Sequence, residues 1–218
     1  MRLASPILIF LFATACGAQS DNDDEHFVEC NDYHSTGSVH SFEVETLTGE
    51  RRNLTHYAGK VLLMMNVATF CGYTQQYLDF NDLISRNPGA QIVAFPCNQF
   101  LLQEPAKNRE ILNGLKYVRP GNNWSPNNDV HILGKLEVNG ANESPLYTFL
   151  KKSCKPTVDI VGQKSNMFWD PIKSTDVTWN FEKFLVDKHG RPRYRFHPAA
   201  WQQGKLVEKY IKSLLTED

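Results

Sequence analysis

The sequence predicts an α/β domain built on a central mixed β-sheet, and three observations carry that reading. Residues 61–69 and 91–97 are largely apolar runs of strand length, the pattern of strands covered on both faces. Stretches with apolar residues at helical spacing alternate with them. A hairpin and a closing amphipathic helix then follow toward the C-terminus.

Met1 and Arg2 give a small positive start, an apolar stretch runs to Ala13, and Ala15, Cys16, Gly17 and Ala18 are mostly small. This is the pattern of a secretory signal peptide over 1–18, too short for the roughly 20 apolar residues of a membrane span. A lipid-modified Cys16 fits less well, because Ala13 stands where a larger aliphatic residue is expected. Residues 19–34 are an N-terminal extension, and 35–218 form one domain; removing the signal leaves about 200 residues, enough for a substantial core. Residues 38–45 alternate, and Gly49-Glu50 turns the chain into a second polar strand, an edge hairpin.

After the strand at 61–69, Cys71-Gly72 stops the run. Tyr73, Tyr77, Phe80 and Ile84 then recur at helical spacing. Asn87-Pro88-Gly89 turns the chain into the strand at 91–97. Pro105 suits a first helical turn, which predicts a helix over 104–114. Residues 117–130 are a long loop, 132–138 a strand, and Ser144-Pro145 opens a helix carrying Leu146, Phe149 and Leu150. Residues 181–186 and 193–196 make a hairpin around Lys188-His189-Gly190, and Leu206, Tyr210, Ile211 and Leu214 mark the last helix.

Composition narrows the function. The net charge of −1 sets aside nucleic acid or a membrane surface as the main partner. Seven histidines show no metal-ligand spacing and there is no glycine-rich phosphate loop, so no metal or nucleotide cofactor is expected. Four cysteines remain beyond the signal, too few for a disulfide scaffold. An oxidising compartment permits one pair, and Cys30 with Cys154 is the expected one, since Cys71 and Cys97 lie beside apolar strands; sequence does not fix the connectivity. Asn53-Leu54-Thr55 is a glycosylation triplet in a polar turn.

Cys71 stands out. It ends a buried strand and begins a helix, the edge at which open α/β sheets bind ligands. Backbone N–H groups and the helix dipole there favour thiolate, the form that attacks a peroxide oxygen to give sulfenic acid. A buried structural thiol is the alternative. Thr74 excludes a C-x-x-C dithiol, so a dithiol reductase is not expected.

The motifs around Cys71 resemble a known family. Asn66-Val67-Ala68-Thr69-Phe70-Cys71-Gly72 resembles the active-site motif of glutathione peroxidases, with cysteine in place of selenocysteine. Ala94-Phe95-Pro96-Cys97-Asn98-Gln99-Phe100 and the run from Trp179 to Val186 resemble their other two signatures, and Lys116-Tyr117-Val118-Arg119-Pro120-Gly121 matches as well. The similarity covers about residues 35–215, and the secretion signal with the run Phe149 to Cys154 is most similar to the plasma and epididymal branch. It implies an α/β thioredoxin-like fold with a central mixed β-sheet flanked by helices. It also implies a thiol-dependent peroxidase, active in the oxidative stress response, that reduces hydrogen peroxide and organic hydroperoxides.

By that resemblance the catalytic residues are Cys71, Gln103, Trp179 and Asn180. Two amides and an indole N–H are neutral donors, able to stabilise a thiolate without trapping it in an ion pair. Arg119, Arg193 and Arg195 are the candidate substrate-binding cations for glutathione, the implied co-substrate. The loop at 117–130 resembles one kept by tetrameric members, which implies a homotetramer. No cysteine lies between Gln103 and Gly114, where thioredoxin-dependent members carry a resolving thiol, and Cys97 is expected to be packed and inert.

Three departures keep two alternatives open: a thioredoxin-dependent peroxidase, and a secreted binding or structural protein with weak catalysis. Cysteine replaces selenocysteine. Leu101 stands where the family usually has glycine, in the turn that positions Gln103, and it strains or re-routes that turn if the backbone there is left-handed. Gln76 and His197-Pro198 occupy places where glutathione-binding arginines are expected.

Overall fold

The computed structural model describes residues 27–30 and 37–217. The expected signal peptide, 1–18, and all of the expected extension except 27–30 lie outside the described residues. The strands are β1 (Phe27–Glu29), β2 (Glu43–Glu45), β3 (Arg51–Asn53), β4 (Val61–Val67), β5 (Ala90–Pro96), β6 (Val130–Ile132), β7 (Lys183–Val186) and β8 (Pro192–Phe196). The α-helices are α1 (Tyr77–Ser85), α2 (Asn108–Tyr117), α3 (Pro145–Ser153) and α4 (Lys205–Thr216).

The two apolar runs form the centre. β4 and β5 pair in parallel, from Val61 beside Ala90 to Val67 beside Pro96. Every residue of β4 is buried, because alternate side chains enter opposite cores. Leu63, Met65 and Val67 face a core shared with residues of α1, α2 and α4. Leu62 and Met64 face another that holds Leu146, Tyr147 and Leu150 of α3. The six-stranded sheet has the order β1-β8-β7-β4-β5-β6, with β4, β5 and β6 parallel and β7, β8 and β1 antiparallel to their neighbours. A mixed sheet with helices on both faces is the thioredoxin-like arrangement.

Four expectations need correction. The hairpin β2–β3 forms, but as a separate two-stranded sheet, and a 3₁₀ turn at Val39–Ser41 takes the start of its expected first strand. The helix expected over 104–114 begins at Asn108, since Glu104 is buried and its carboxylate accepts the Thr69 backbone N–H and hydroxyl. The strand expected over 132–138 lies upstream as β6. Beyond it, Gly134 and Leu136 donate to the carbonyls of Glu45 and Pro96, which takes the chain out of the ladder. β1, within the segment expected to be an extension, pairs with β8 as an edge strand. Its three residues were too few for a periodic signal.

Cys30 and Cys154 are joined by a disulfide, which ties β1 to the end of α3. Cys71 and Cys97 are free and buried. Burial pushes the Cys97 thiol up to about 12, so it is protonated and unreactive at neutral pH.

Candidate active site

Cys71 lies four residues beyond the C-terminal end of β4, as the N-cap of the 3₁₀ turn Gly72–Gln76 that leads into α1. Its sulfur accepts the Tyr73 N–H at 3.4 Å, and its own N–H donates to Thr74 Oγ1 at 3.1 Å. The Thr74 hydroxyl donates in turn to the Ala68 carbonyl at 2.8 Å, closing a capping box around the thiol. The expected helix therefore does leave the strand end, with a tighter first turn.

Three of the four residues implied by the resemblance act directly at the thiol or on one another. Trp179 and Asn180, just before β7, lie toward the Cys71 sulfur and pull its pKa down, which favours thiolate. Gln103 reaches the group through Asn180, whose Nδ2 donates to Gln103 Oε1 at 3.0 Å. The Trp179 ring packs on Phe100, centroids 5.6 Å apart, so the turn carrying Gln103 and the segment carrying Trp179 touch behind the site. Asn180 Oδ1 is buried without a hydrogen-bond partner.

Position alone favoured a depressed thiol pKa, and the net direction is the opposite. Burial pushes the Cys71 thiol above its ordinary value, while the Tyr73 N–H, Trp179, Asn180 and the Arg119 charge pull it down without prevailing. Cys71 has no exposed surface, so a peroxide oxygen reaches it only when the covering side chains give way.

The arginines divide. Arg119 belongs to the site, its Nη2 donating to the Cys71 carbonyl at 2.9 Å. Arg193 does not: it is salt-bridged to Glu217 and Asp187 on the part of β8 that pairs beside the N-terminal half of β4, opposite the thiol. Arg195 does not either, being fully buried in an ion pair with Glu182. Charged residues at positions expected to flank a ligand were thus taken up by the protein itself.

Sequence reasoning missed Thr74, Glu104 and Lys183. Lys183 is fully buried on β7 and donates to the Pro198 carbonyl at 2.8 Å; burial pushes its pKa well down, while the Glu182 and Cys71 charges oppose the shift. A signal was present, since Glu182-Lys183 interrupts an otherwise apolar strand. Gln76, which stands where an arginine was expected, also donates to Pro198, at 3.0 Å. Pro198 and His197 form one side of a cleft of about 590 Å³ whose other walls include Tyr73, Trp179, Val158 and Ile160. Among the described residues, no lysine or arginine lines it.

Leu101 and Leu102 both adopt left-handed backbone, φ 50° and 52°. Leucine thus strains the turn at the usual glycine position and does not re-route it, because Gln103 still meets Asn180.

Residues 39–151 match the family described as glutathione peroxidase. Glutathione peroxidase 3 of Caenorhabditis elegans is 50% identical over 212 residues, covering 96% of this chain and 93% of the relative. The cuticular glutathione peroxidase of Wuchereria bancrofti is 57% identical over 182 residues, covering 83% and 82%. Among solved structures, T. cruzi GPX1 is similar with a TM-score of 0.56 at 30% identity, over 82% of this chain and 97% of that one.

Proposed function

This chain belongs to the glutathione peroxidase family, and we propose that Cys71 is its peroxidatic residue, with Gln103, Trp179 and Asn180 as the supporting catalytic residues. It is an oxidoreductase, a thiol-dependent peroxidase acting on peroxide and thiol substrates. The observation that carries the assignment of Cys71 is the convergence of neutral donors on one thiol. Trp179, Asn180 and the Tyr73 N–H all favour its charged form, and the Arg119 charge adds to them.

The cycle follows from that geometry. The thiolate attacks a peroxide oxygen, the O–O bond breaks, and one proton goes to the departing oxygen, leaving Cys71 sulfenic acid and water or an alcohol. One thiol then displaces water to form a mixed disulfide, and a second releases the disulfide product and restores the Cys71 thiol. Hydrogen peroxide and organic hydroperoxides are the oxidants. No metal or other cofactor takes part.

Glutathione is the proposed reductant, with Arg119 as the cation for one of its carboxylates. A protein thiol of the thioredoxin type is the second reading, favoured by the absence of lysine and arginine from the cleft beside Trp179. Parallel NADPH-coupled assays with glutathione and with thioredoxin separate the two. Of the two features that favour a binding protein with weak catalysis, Leu101 leaves Gln103 in contact with Asn180, while the arginines expected at Gln76 and His197-Pro198 are still missing.

The chain is proposed to be secreted, which fits the Cys30–Cys154 disulfide and the exposure of Asn53 and Thr55 in the glycosylation triplet. A homotetramer is proposed on the loop at 117–130, where Tyr117 and Val118 are 68% and 64% exposed. A monomeric mass by light scattering excludes it.

The test of the whole reading is Cys71→Ser. The variant is expected to fold and to lose peroxidase activity to background, with dimedone trapping of sulfenic acid lost in parallel. Activity retained in that variant rules Cys71 out.

A further inference from the structure

Phe181, next to the two donors that face Cys71, holds left-handed backbone at φ 69°. A bulky side chain stays in that region only where its surroundings over-determine it. Here its fully buried ring, its N–H bond to the Asn66 carbonyl and, beside it, buried charge do so. Arg195 on β8 and Glu182 have no exposed surface and form an ion pair. The second Glu182 carboxylate oxygen accepts the Thr178 N–H at 2.8 Å and the Thr178 hydroxyl at 2.7 Å.

The same guanidinium also grips the start of the segment. Arg195 Nη2 donates to the Asp176 carbonyl at 3.0 Å, both Nη atoms donate to the Thr175 carbonyl at 3.3 Å, and Nη1 donates to the Cys154 carbonyl at 3.3 Å. Cys154 is tied to Cys30, so this anchor is fixed. The guanidinium lies over the Phe184 ring, 5.1 Å from its centroid. One planar fork therefore spans residues 175–182, holding the first carbonyls directly and the far end through Glu182.

We propose that Arg195 is a positioning residue: with Glu182 it fixes the 175–182 segment so that Trp179 and Asn180 meet the Cys71 sulfur. It acts through those two side chains, since a fully buried arginine meets no substrate. A lysine supplies one point charge and cannot bridge these acceptors as a fork does. The inference rests on Cys71 being the reacting thiol.

The test is the pH dependence of Cys71 alkylation by iodoacetamide, read at Cys71 by peptide mass spectrometry in the full chain. Wild type is compared with Arg195→Lys and with the double variant Arg195→Met, Glu182→Gln. The double variant removes both charges, so no unpaired charge is left buried, and thermal melting followed by circular dichroism checks the fold. In both variants the alkylation midpoint is expected to rise by about half a pH unit or more as the two donors drift from sulfur. The rate constant with hydrogen peroxide is expected to fall about tenfold or more. A folded variant of either kind that keeps the wild-type midpoint and rate overturns the proposal, and rescue by lysine reduces Arg195 to a buried charge. If wild-type Cys71 alkylates but does not react with peroxide, the functional reading fails while the alkylation comparison still decides this one.

Discussion

Two segments deliver polar groups to Cys71, and they are held in opposite ways. Residues 178–182 are buried or half-buried and pinned at every step. Asn66 Nδ2 donates to the Trp179 carbonyl at 3.0 Å, Phe181 N–H donates to the Asn66 carbonyl at 2.6 Å, and Glu182 holds Thr178. The one left-handed residue there, Phe181, has its ring fully buried, which offsets the backbone strain. Residues 100–103 carry two left-handed leucines whose side chains are 45% and 50% exposed. The leucine side chains stay in solvent although the backbone around them is tied, by Leu101 N–H to the Asn166 carbonyl at 3.2 Å, Gln103 N–H to the Phe100 carbonyl at 3.1 Å, Phe70 N–H to the Gln103 carbonyl at 3.0 Å and the bridge of Phe100 with Met167. Strain is offset by burial in one segment and stored in the other.

The largest effect comes from breaking the pinned side. Lys151 on α3 has 3% of its side chain exposed and binds Asp176, Glu143 and the Asn139 amide oxygen. Asp176 also accepts the Trp169 indole N–H at 2.9 Å, so this ion pair anchors the start of the segment that reaches Trp179. Lys151→Met leaves two carboxylates without their shared cation, and about 3–5 kcal/mol of stability should be lost in urea unfolding. Peroxidase activity falls with it. A loss below about 1 kcal/mol would mean that the segment is held by packing alone.

A smaller effect separates the two sides at the thiol. Asn180 acts on Cys71 directly, whereas Gln103 acts through the Asn180 amide. The folded thiol has a raised pKa, so its thiolate is scarce at neutral pH, and the alkylation rate climbs about tenfold per pH unit until that pKa is reached. The sign for stability is the same: a group with a raised folded pKa supports the fold below its ordinary value, and the support is lost as pH rises through the folded one. Asn180→Ala removes a pull toward thiolate and should lower the neutral-pH rate by about tenfold. Gln103→Ala should lower it about threefold. Equal effects would place Gln103 on the sulfur itself.

The buried strands at β4 and β5 were legible because covered strands are apolar throughout, and the hairpin β7–β8 because Gly190 marks its turn. Cys71, Gln103, Trp179 and Asn180 were legible as motif positions, although nothing in sequence spacing joins residues about 77 apart. The Cys30–Cys154 pair followed from the apolar surroundings of the other two thiols. Arg193 and Arg195 were misread because a charge in a strand says nothing of its partners; Glu182 and Glu217 are brought to them only by the folded sheet and last helix. The net direction of the thiol pKa was misread for a related reason: donors belong to the local motif, but burial belongs to the whole fold.

The smallest effect lies in the strained turn. Leu101→Gly removes a side chain from left-handed backbone, which relieves about 1–2 kcal/mol. Glycine returns about 0.5–1 kcal/mol of that through the greater freedom of the unfolded chain, and the exposed leucine loses little packing. The variant should therefore be more stable by about 0.5–1 kcal/mol in urea, with the contact of Gln103 and Asn180 kept and peroxidase kcat/KM within about twofold of wild type. The same exchange at Phe181 relieves the same kind of backbone but opens a cavity beneath Tyr77, with which its ring makes edge contact at 5.6 Å, so its sign reverses. If Leu101→Gly proves neutral or destabilising, the exposed leucine is held by contacts that outweigh its strain, and the two segments differ less than their burial implies.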